Sequence, residues 1–407
     1  GKLQVNVVTR ENVPVRDATV TIAASDSPNN IIERLTTNSS GQTETIELPA
    51  PPIELSLNEA NTTRPYTTYN IRIEALGYET EFIENAEILP DVLAIQNVRL
   101  TSKNASLTED IMIPDHTLYG EYPPKVPEEE IKPVNEPGEI VLSRVVVPEI
   151  IVVHDGIPSD SSAQNYYVNY RDYIKNVASS EIYATWPTAT IEANVLAIMS
   201  FTLNRVYTEW YRNKGYDFTI TSSTAYDQKW INGRNIFESI SRVVDNIFDQ
   251  YLSLPDVRQP ILTQYCDGKR VKCPNWLSQW GSCNLGEQGY STLEIIRNYY
   301  GDEMYINTAE QISGIPASWP GYDLTIGASG QKVRQLQEQL DTIAQVYTAI
   351  PRLVADGVYG ENTQASVRAF QKIFDLPQTG ITDFATWYKI SQIYVGITRI
   401  AEGIPRG

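Results

Sequence analysis

Histidine is scarce in this chain: 407 residues contain two, His116 and His154, and only three cysteines, at positions 266, 273 and 283. No pair among them has the close, finger-like spacing of a zinc site, so no metal and no cofactor is expected. The same scarcity argues against an amidase or endopeptidase, which ordinarily needs a metal site or a Cys–His pair. Cations are also outnumbered, 32 Lys and Arg against 50 Asp and Glu, for a net charge of −18. Nucleic acid is therefore excluded as a partner, because neutralising phosphates takes clustered basic residues. Long apolar runs are missing too. The richest stretch, Ile140 to Val153, is broken by Arg144, Pro148 and Glu149 and falls short of the roughly 20 residues of a membrane span. No basic-then-apolar leader opens the sequence, so any targeting segment is expected to have been removed or never to have been present.

What is plentiful is tyrosine and tryptophan, 25 and 7 residues. An acidic protein gains no attraction to an anionic polymer from its charge. Any such binding has to come from shape, hydrogen bonds and stacking, which aromatic side chains supply. Most individual rings are nonetheless expected to serve packing.

The length predicts two or three domains, each able to bury a core. Residues 1–115 alternate apolar and polar residues in short runs, such as Leu3, Val5, Val7, then Val20, Ile22, then Ile71, Ile73, which is a strand pattern. Residues 116–147 turn to prolines and acids, including Pro123-Pro124, Pro127-Glu-Glu-Glu130, Pro133 and Pro137-Gly138. Such a stretch cannot bury enough apolar surface to fold alone and is expected to be an extended, exposed connector open to proteolysis. A central unit spans 148–306, a linker 307–324, and a helical unit 325–395.

Within the central unit, Tyr173-Ile-Lys-Asn-Val-Ala-Ser-Ser-Glu181-Ile-Tyr-Ala-Thr-Trp186-Pro187 holds one carboxylate among apolar and aromatic residues. The next segment, Thr190 to Val206, places Ile191, Val195, Ile198 and Val206 at helical spacing, with Pro187 suited to the start of that helix. Glu181 is thus predicted to end the preceding element, next to Tyr183 and Trp186, where partial desolvation raises a carboxyl pKa.

This segment resembles the opening motif of the SpoIID/LytB family of peptidoglycan lytic transglycosylases. Leu277-Ser-Gln-Trp-Gly281, Gln288-Gly289-Tyr290 and Leu293-Glu-Ile-Ile296 to Tyr300-Gly301 resemble its closing motif. With Val152-Val-His-Asp-Gly156 and Ser223-Thr-Ala-Tyr-Asp-Gln228, the likeness is to the clostridial spore-cortex-lytic enzymes of the SleC type, over roughly residues 145 to 305. Val13 to Ile22, Thr37 to Gly41 and Tyr69 to Tyr78 look like a transthyretin or carboxypeptidase-regulatory β-sandwich. Gly327, Gly330, the stripe Val333, Leu336, Leu340, then Asp356-Gly-Val-Tyr-Gly360, Phe370-Gln371, Thr379-Gly380 and Thr386-Trp387 look like a three-helix, type 1 peptidoglycan-binding domain. The match departs at Asp375, where the family usually has glycine; a left-handed aspartate is expected there at modest cost.

The resemblance implies a multi-domain protein with an α+β SpoIID-like catalytic domain. It implies Glu181 as the acid–base residue cleaving the MurNAc–GlcNAc β-1,4 bond, with the sugar's own C6 hydroxyl as nucleophile and a 1,6-anhydro product. Tyr183, Trp186, Tyr226, Gln228, Tyr265, Ser278, Gln279 and Trp280 are its implied substrate contacts, about half of them expected to touch sugar. It further implies a zymogen acting on spore cortex peptidoglycan at germination, in the extracytoplasmic cortex or coat region. A subtilisin-like protease would cut it between about Glu139 and Pro148. Two positions depart from the family: Met199 stands where a basic residue is usual, and Glu192 where a lysine is common. An inactive wall-anchoring or assembly protein is therefore an open alternative. So is a hydrolase of the same bond, for which Asp227 or Glu192 would be the second carboxylate. Cys266 and Cys273 are placed to close a short loop as a disulfide, or to remain as reduced buried thiols.

Overall fold

A computed structural model describes residues 1–105, 110–132 and 141–398. The alternating N-terminal runs form strands β1 (Lys2–Thr9), β2 (Thr19–Ala24), β3 (Ile31–Thr36), β4 (Ile46–Glu47), β5 (Thr67–Glu74), β6 (Glu81–Ile88), β7 (Leu93–Leu100) and β8 (Ile111–Met112), with a short helix α1 (Glu54–Leu57). Leu3, Val5 and Val7 are buried between more exposed neighbours, as the period of two requires. One sheet runs β3-β2-β5-β6-β8; in the other β4 and β7 flank β1. β1 lies parallel to β7 along its whole length, whereas β2, β3, β5 and β6 pair antiparallel.

The central region contains β9 (Val146–Val147), β10 (Ile150–His154), β11 (Asn165–Asn169), β12 (Ile220–Thr221) and β13 (Ile236–Phe237), with helices α2 (Tyr170–Glu181), α3 (Thr188–Tyr207) and α4 (Glu238–Ile247). Strands β14 (Gln250–Ser253), β15 (Tyr265–Cys266) and β16 (Leu277–Ser278) lead to helices α5 (Gln279–Glu287) and α6 (Thr292–Tyr300), then β17 (Tyr305–Thr308) and β18 (Gln311–Ile312). The predicted apolar helix is α3, two residues longer at its start, with Pro187 at its N-cap. It is buried on nearly every side because α2, α4, α5, α6 and β14 all pack on it. The C-terminal region is α7 (Gln331–Val346), α8 (Glu361–Ile373) and α9 (Phe384–Thr398), and Asp375 adopts a φ of 57°.

The regions are joined by more than chain connectivity. Strand β13 of the central region adds to the N-terminal sheet, pairing with Ile95 and Ala94 of β7. Beside it, Asn235 exchanges two hydrogen bonds with the backbone of Glu87 (3.0 and 2.9 Å), and the Glu87 carboxylate pairs with Arg234. Arg171 donates to the Tyr388 carbonyl at 2.7 Å and Gln42 to that of Ile373 at 2.8 Å, tying the C-terminal helices to both other regions.

One expectation needs correction. The described residues of the 116–147 connector are mostly extended, but His116, Thr117, Leu118, Tyr122 and Lys132 are buried. Its backbone finds partners in the central region: Val126 donates to Ala225, and Leu262 donates to Glu130. A proline-rich segment that cannot fold alone can still dock where a folded neighbour satisfies its peptide groups. In the 307–324 linker, β18 pairs with β9 and Leu324 bonds with Thr382. Pro133, Pro137, Gly138 and Glu139 lie outside the described residues. In the remainder of the expected processing range, Ser143 and Arg144 are exposed while Val145 and Val147 are buried.

Burial pushes Glu87 up to about 7, with Arg234 partly opposing it. A carboxyl whose pKa is higher folded than unfolded weakens the folded state as pH rises from the unfolded to the folded value. Resistance to urea should therefore fall from about pH 4.5 to about 7, and Glu87→Gln should flatten that fall. Identical urea midpoints against pH for the two proteins would remove Glu87 as its source.

Candidate active site

Helix α2 is capped by Asn169, whose side chain accepts from the Arg171 N–H, and ends at Glu181. All its residues except Asp172 are buried, so the final carboxylate is delivered into the interior with 0% exposure. Its Oε1 accepts the backbone N–H of Lys229 at 2.7 Å. Its Oε2 has no partner at full hydrogen-bond geometry among the described residues, but the Tyr265 hydroxyl is near enough to act on the carboxylate as a donor. Burial raises the Glu181 pKa; the Lys125 ammonium, the Lys229 N–H and the Tyr265 hydroxyl pull it back only in part. The result is a carboxyl inclined to hold its proton, with a phenol beside it.

Two phenols share this pocket. Tyr265 lies close enough to Glu181 for its hydroxyl to donate toward the carboxylate, and the hydroxyl of buried Tyr122 has no partner among the described residues. Burial, and after it the negative charge of Glu181, pushes both phenols upward. Lys125 stands over the Tyr265 ring at 4.5 Å and donates to the Asp227 carbonyl at 3.3 Å.

The other predicted residues divide. Tyr183, Trp186 and Trp280 form one aromatic cluster with centroids 5.2 to 6.0 Å apart. Trp186 donates its Nε1–H to Ser56 of the N-terminal region at 2.9 Å, and Tyr183 packs on His116 at 4.6 Å. These rings brace the turn after Glu181; the aromatic neighbours that meet the carboxylate's charge are Tyr122, Tyr173 and Tyr265. Gln228 is a core strut, accepting from Tyr173 (2.9 Å) and Thr202 (2.8 Å) and donating to Ile198 (3.0 Å). Ser278 caps α5 through the Gly281 N–H. Gln279 is wholly buried, with both amide atoms unpartnered among the described residues, as is the Trp280 Nε1–H. Tyr226 is partly exposed.

Neither candidate second carboxylate is uncommitted. Asp227 pairs with Arg205 at 2.7 Å and accepts from Tyr211 (2.6 Å) and Thr221 (2.6 and 3.0 Å). Glu192 accepts from Thr292 at 2.5 Å. Met199 is in the core at 0% exposure, so a cation there would be buried and unpaired. Arg205, Glu128, Lys125, Tyr122 and Lys229 are the residues that sequence reasoning missed. The aromatic and basic residues set among the prolines of 122–127 were the one available signal.

Cys266 and Cys273 are joined as a disulfide and Cys283 is free and buried. Among the described residues no group of three or more His, Cys, Asp or Glu is placed to hold a metal ion, and no helix is long and apolar enough to cross a membrane.

Residues 329–390 match the family model described as "Putative peptidoglycan binding domain". The chain is thus a multi-domain protein with sheets in its N-terminal region and a C-terminal helical peptidoglycan-binding domain. No curated protein matches it. Among solved structures it is similar to the crystal structure of the SleB N-terminal domain, at 28% identity over 19% of this chain and 99% of that one, with a TM-score of 0.17. It is similar to the Bacillus anthracis TIE protein at 14% identity over 25% and 16% of the two chains, TM-score 0.17. The crystal structure of 3-chlorocatechol 1,2-dioxygenase from Rhodococcus opacus 1CP follows, at 14% identity over 23% and 51%, TM-score 0.15. Scores this low establish no common fold.

Because Asp227 neutralises a fully buried guanidinium, Asp227→Asn should cost about 3 kcal/mol of folding stability, the scale for breaking one side of a buried ion pair. Equilibrium urea unfolding reads this directly; a loss under about 1 kcal/mol would mean that water reaches Arg205 freely.

Proposed function

We propose that this chain is the zymogen of a spore cortex-lytic enzyme, a lytic transglycosylase that cuts peptidoglycan between MurNAc and GlcNAc with Glu181 as acid and base. The observation that carries this reading is the desolvated Glu181 carboxyl, its pKa raised by burial, in a chain that carries a peptidoglycan-binding domain. The motif likeness around Glu181 and around Leu277–Gly281 supports it further.

The chemistry requires one carboxyl group. Protonated Glu181 gives its proton to the oxygen leaving C1 of the muramic residue as oxocarbenium character builds. The carboxylate left behind accepts the proton of the same sugar's C6 hydroxyl while that oxygen bonds to C1. The products are a free GlcNAc 4-hydroxyl and a 1,6-anhydro-muramic end. No water is consumed, and Glu181 is returned protonated. The commitments of Asp227 to Arg205, Tyr211 and Thr221 favour this over hydrolysis, which needs a second free carboxylate. Gln279, with unmet hydrogen-bonding capacity, and Tyr265 are the proposed sugar contacts. Cortex peptidoglycan is the proposed partner, the spore cortex or coat region the proposed site of action, and a subtilisin-like protease the proposed activator. The exposed Ser143–Arg144 pair, just before buried Val145, is the most accessible cutting point within the described part of the expected range.

Mass spectrometry of soluble products should show 1,6-anhydro ends from chain cut after Arg144, and none from its Glu181→Gln counterpart. Reducing ends would make the enzyme a hydrolase, and no products from a chain that still binds the wall would make it an anchor. Because the first step needs protonated Glu181, kcat/KM should fall as pH rises through its elevated pKa. A profile that instead rises with pH across the carboxylate range would contradict the assignment.

A further inference from the structure

The described part of the connector does more than pass by Glu181. Thr117 donates to the Ser180 carbonyl at 2.8 Å, one residue before the carboxylate. Tyr122 is then buried within range of its charge, and Lys125 stands over Tyr265. Val126 is clamped by the Ala225 carbonyl and the Gln264 amide. Glu128 then places both carboxylate oxygens in the fork of Arg205, at 2.9 and 2.7 Å. Lys132 closes the run, paired with Glu128 and lying over Trp210 at 4.3 Å.

Arg205 is at the end of α3 with no exposed side chain. Asp227 takes its Nε–H, while its two outer nitrogens face Glu128. Fork-to-fork pairing of this kind is the strong, geometry-selective way a protein reads a carboxylate. The partner here belongs to a segment lying upstream of the proposed cut. Once it withdraws, two buried guanidinium nitrogens lose that acceptor, which is costly unless another anion arrives. The site is near the chemistry: the Tyr226 carbonyl accepts from Arg205 and the Lys229 N–H binds Glu181, and three residues of chain reach at most roughly 10 Å.

We propose that residues 117–132 plug the substrate cleft, with Glu128 occupying on Arg205 the place of a carboxylate carried by the muramic residue of the glycan. The lactyl group of muramic acid ends in a carboxyl, free or extended by a peptide that itself ends in one. The plug is latched by Glu128 and leaves when the chain behind it is cut. This rests on the transglycosylase reading above and adds to it a carboxylate subsite on Arg205.

The test uses full chain carrying Glu181→Gln, so that nothing turns over, with and without Glu128→Ala. Hydrogen exchange over 117–132 reports the latch. Calorimetry reports binding of a GlcNAc–MurNAc tetrasaccharide with free lactyl carboxylates and of its methylamide counterpart. Glu128→Ala should raise exchange in 117–132 and tighten binding of the acid at least tenfold, with the methylamide gaining less than threefold. Glu128→Gln, which keeps the volume, should move both readouts the same way by less, and a cooperative melt confirms that each variant folds. Unchanged exchange would overturn the latch, and equal gains for acid and amide would overturn the carboxylate subsite. If exchange rises yet neither sugar binds, even to chain cut after Arg144, the glycan-cleft reading itself falls and takes the subsite with it.

Discussion

A carboxylate with no exposed surface, set at the last residue of a buried helix, is the constraint from which the rest of the architecture follows. Glu181 has one backbone N–H to accept and otherwise meets phenols and a lysine. Left in that setting it favours its protonated form. Maintaining it there takes segments from across the chain: α2 delivers it, the 226–229 turn supplies the N–H, β15 supplies Tyr265, and the connector supplies Tyr122 and Lys125. The site is therefore as much a product of what covers it as of what carries it.

The same economy explains how tightly the regions are joined. A two-residue strand, β13, extends the N-terminal sheet, and the adjoining Arg234 and Asn235 meet Glu87 behind it. Trp186, five residues beyond Glu181, is anchored to Ser56. The N-terminal region thus holds the turn after the candidate acid while the connector bonds to the Ser180 carbonyl just before it. Separating them breaks buried polar contacts that water must replace, and a tethered cover of this sort is effective even when each contact is weak.

Local pattern was the legible part of the sequence. The period of two at Leu3, Val5 and Val7, the helical spacing from Ile191 to Val206, and the end of an element at Glu181 were all readable, because each depends on neighbours within a few residues. The apolar stripe of α7 was readable for the same reason, whereas the other C-terminal helices and left-handed Asp375 followed from the likeness to a peptidoglycan-binding domain. What stayed hidden was long-range. Nothing local tells Ile236–Phe237 to pair with Ala94–Ile95, or Glu128 to find Arg205. The composition of 116–147 predicts a segment that does not fold alone, but docking depends on the surface it meets. Aromatic residues near Glu181 in sequence were poor guides to those near it in space, since Tyr183 and Trp186 turn toward His116 and Ser56. The phenols that feel the carboxylate's charge come from positions 122, 173 and 265.

The most direct measurement of this account is the titration of the Glu181 side-chain carboxyl by carbon-13 NMR in intact, isotopically labelled chain, with the resonance assigned by its loss in Glu181→Gln. A midpoint clearly above the ordinary glutamate value of 4.5 is what a desolvated acid requires. A midpoint at or below that value would mean the carboxylate is well solvated or firmly paired, and the case for Glu181 as the proton donor would be lost.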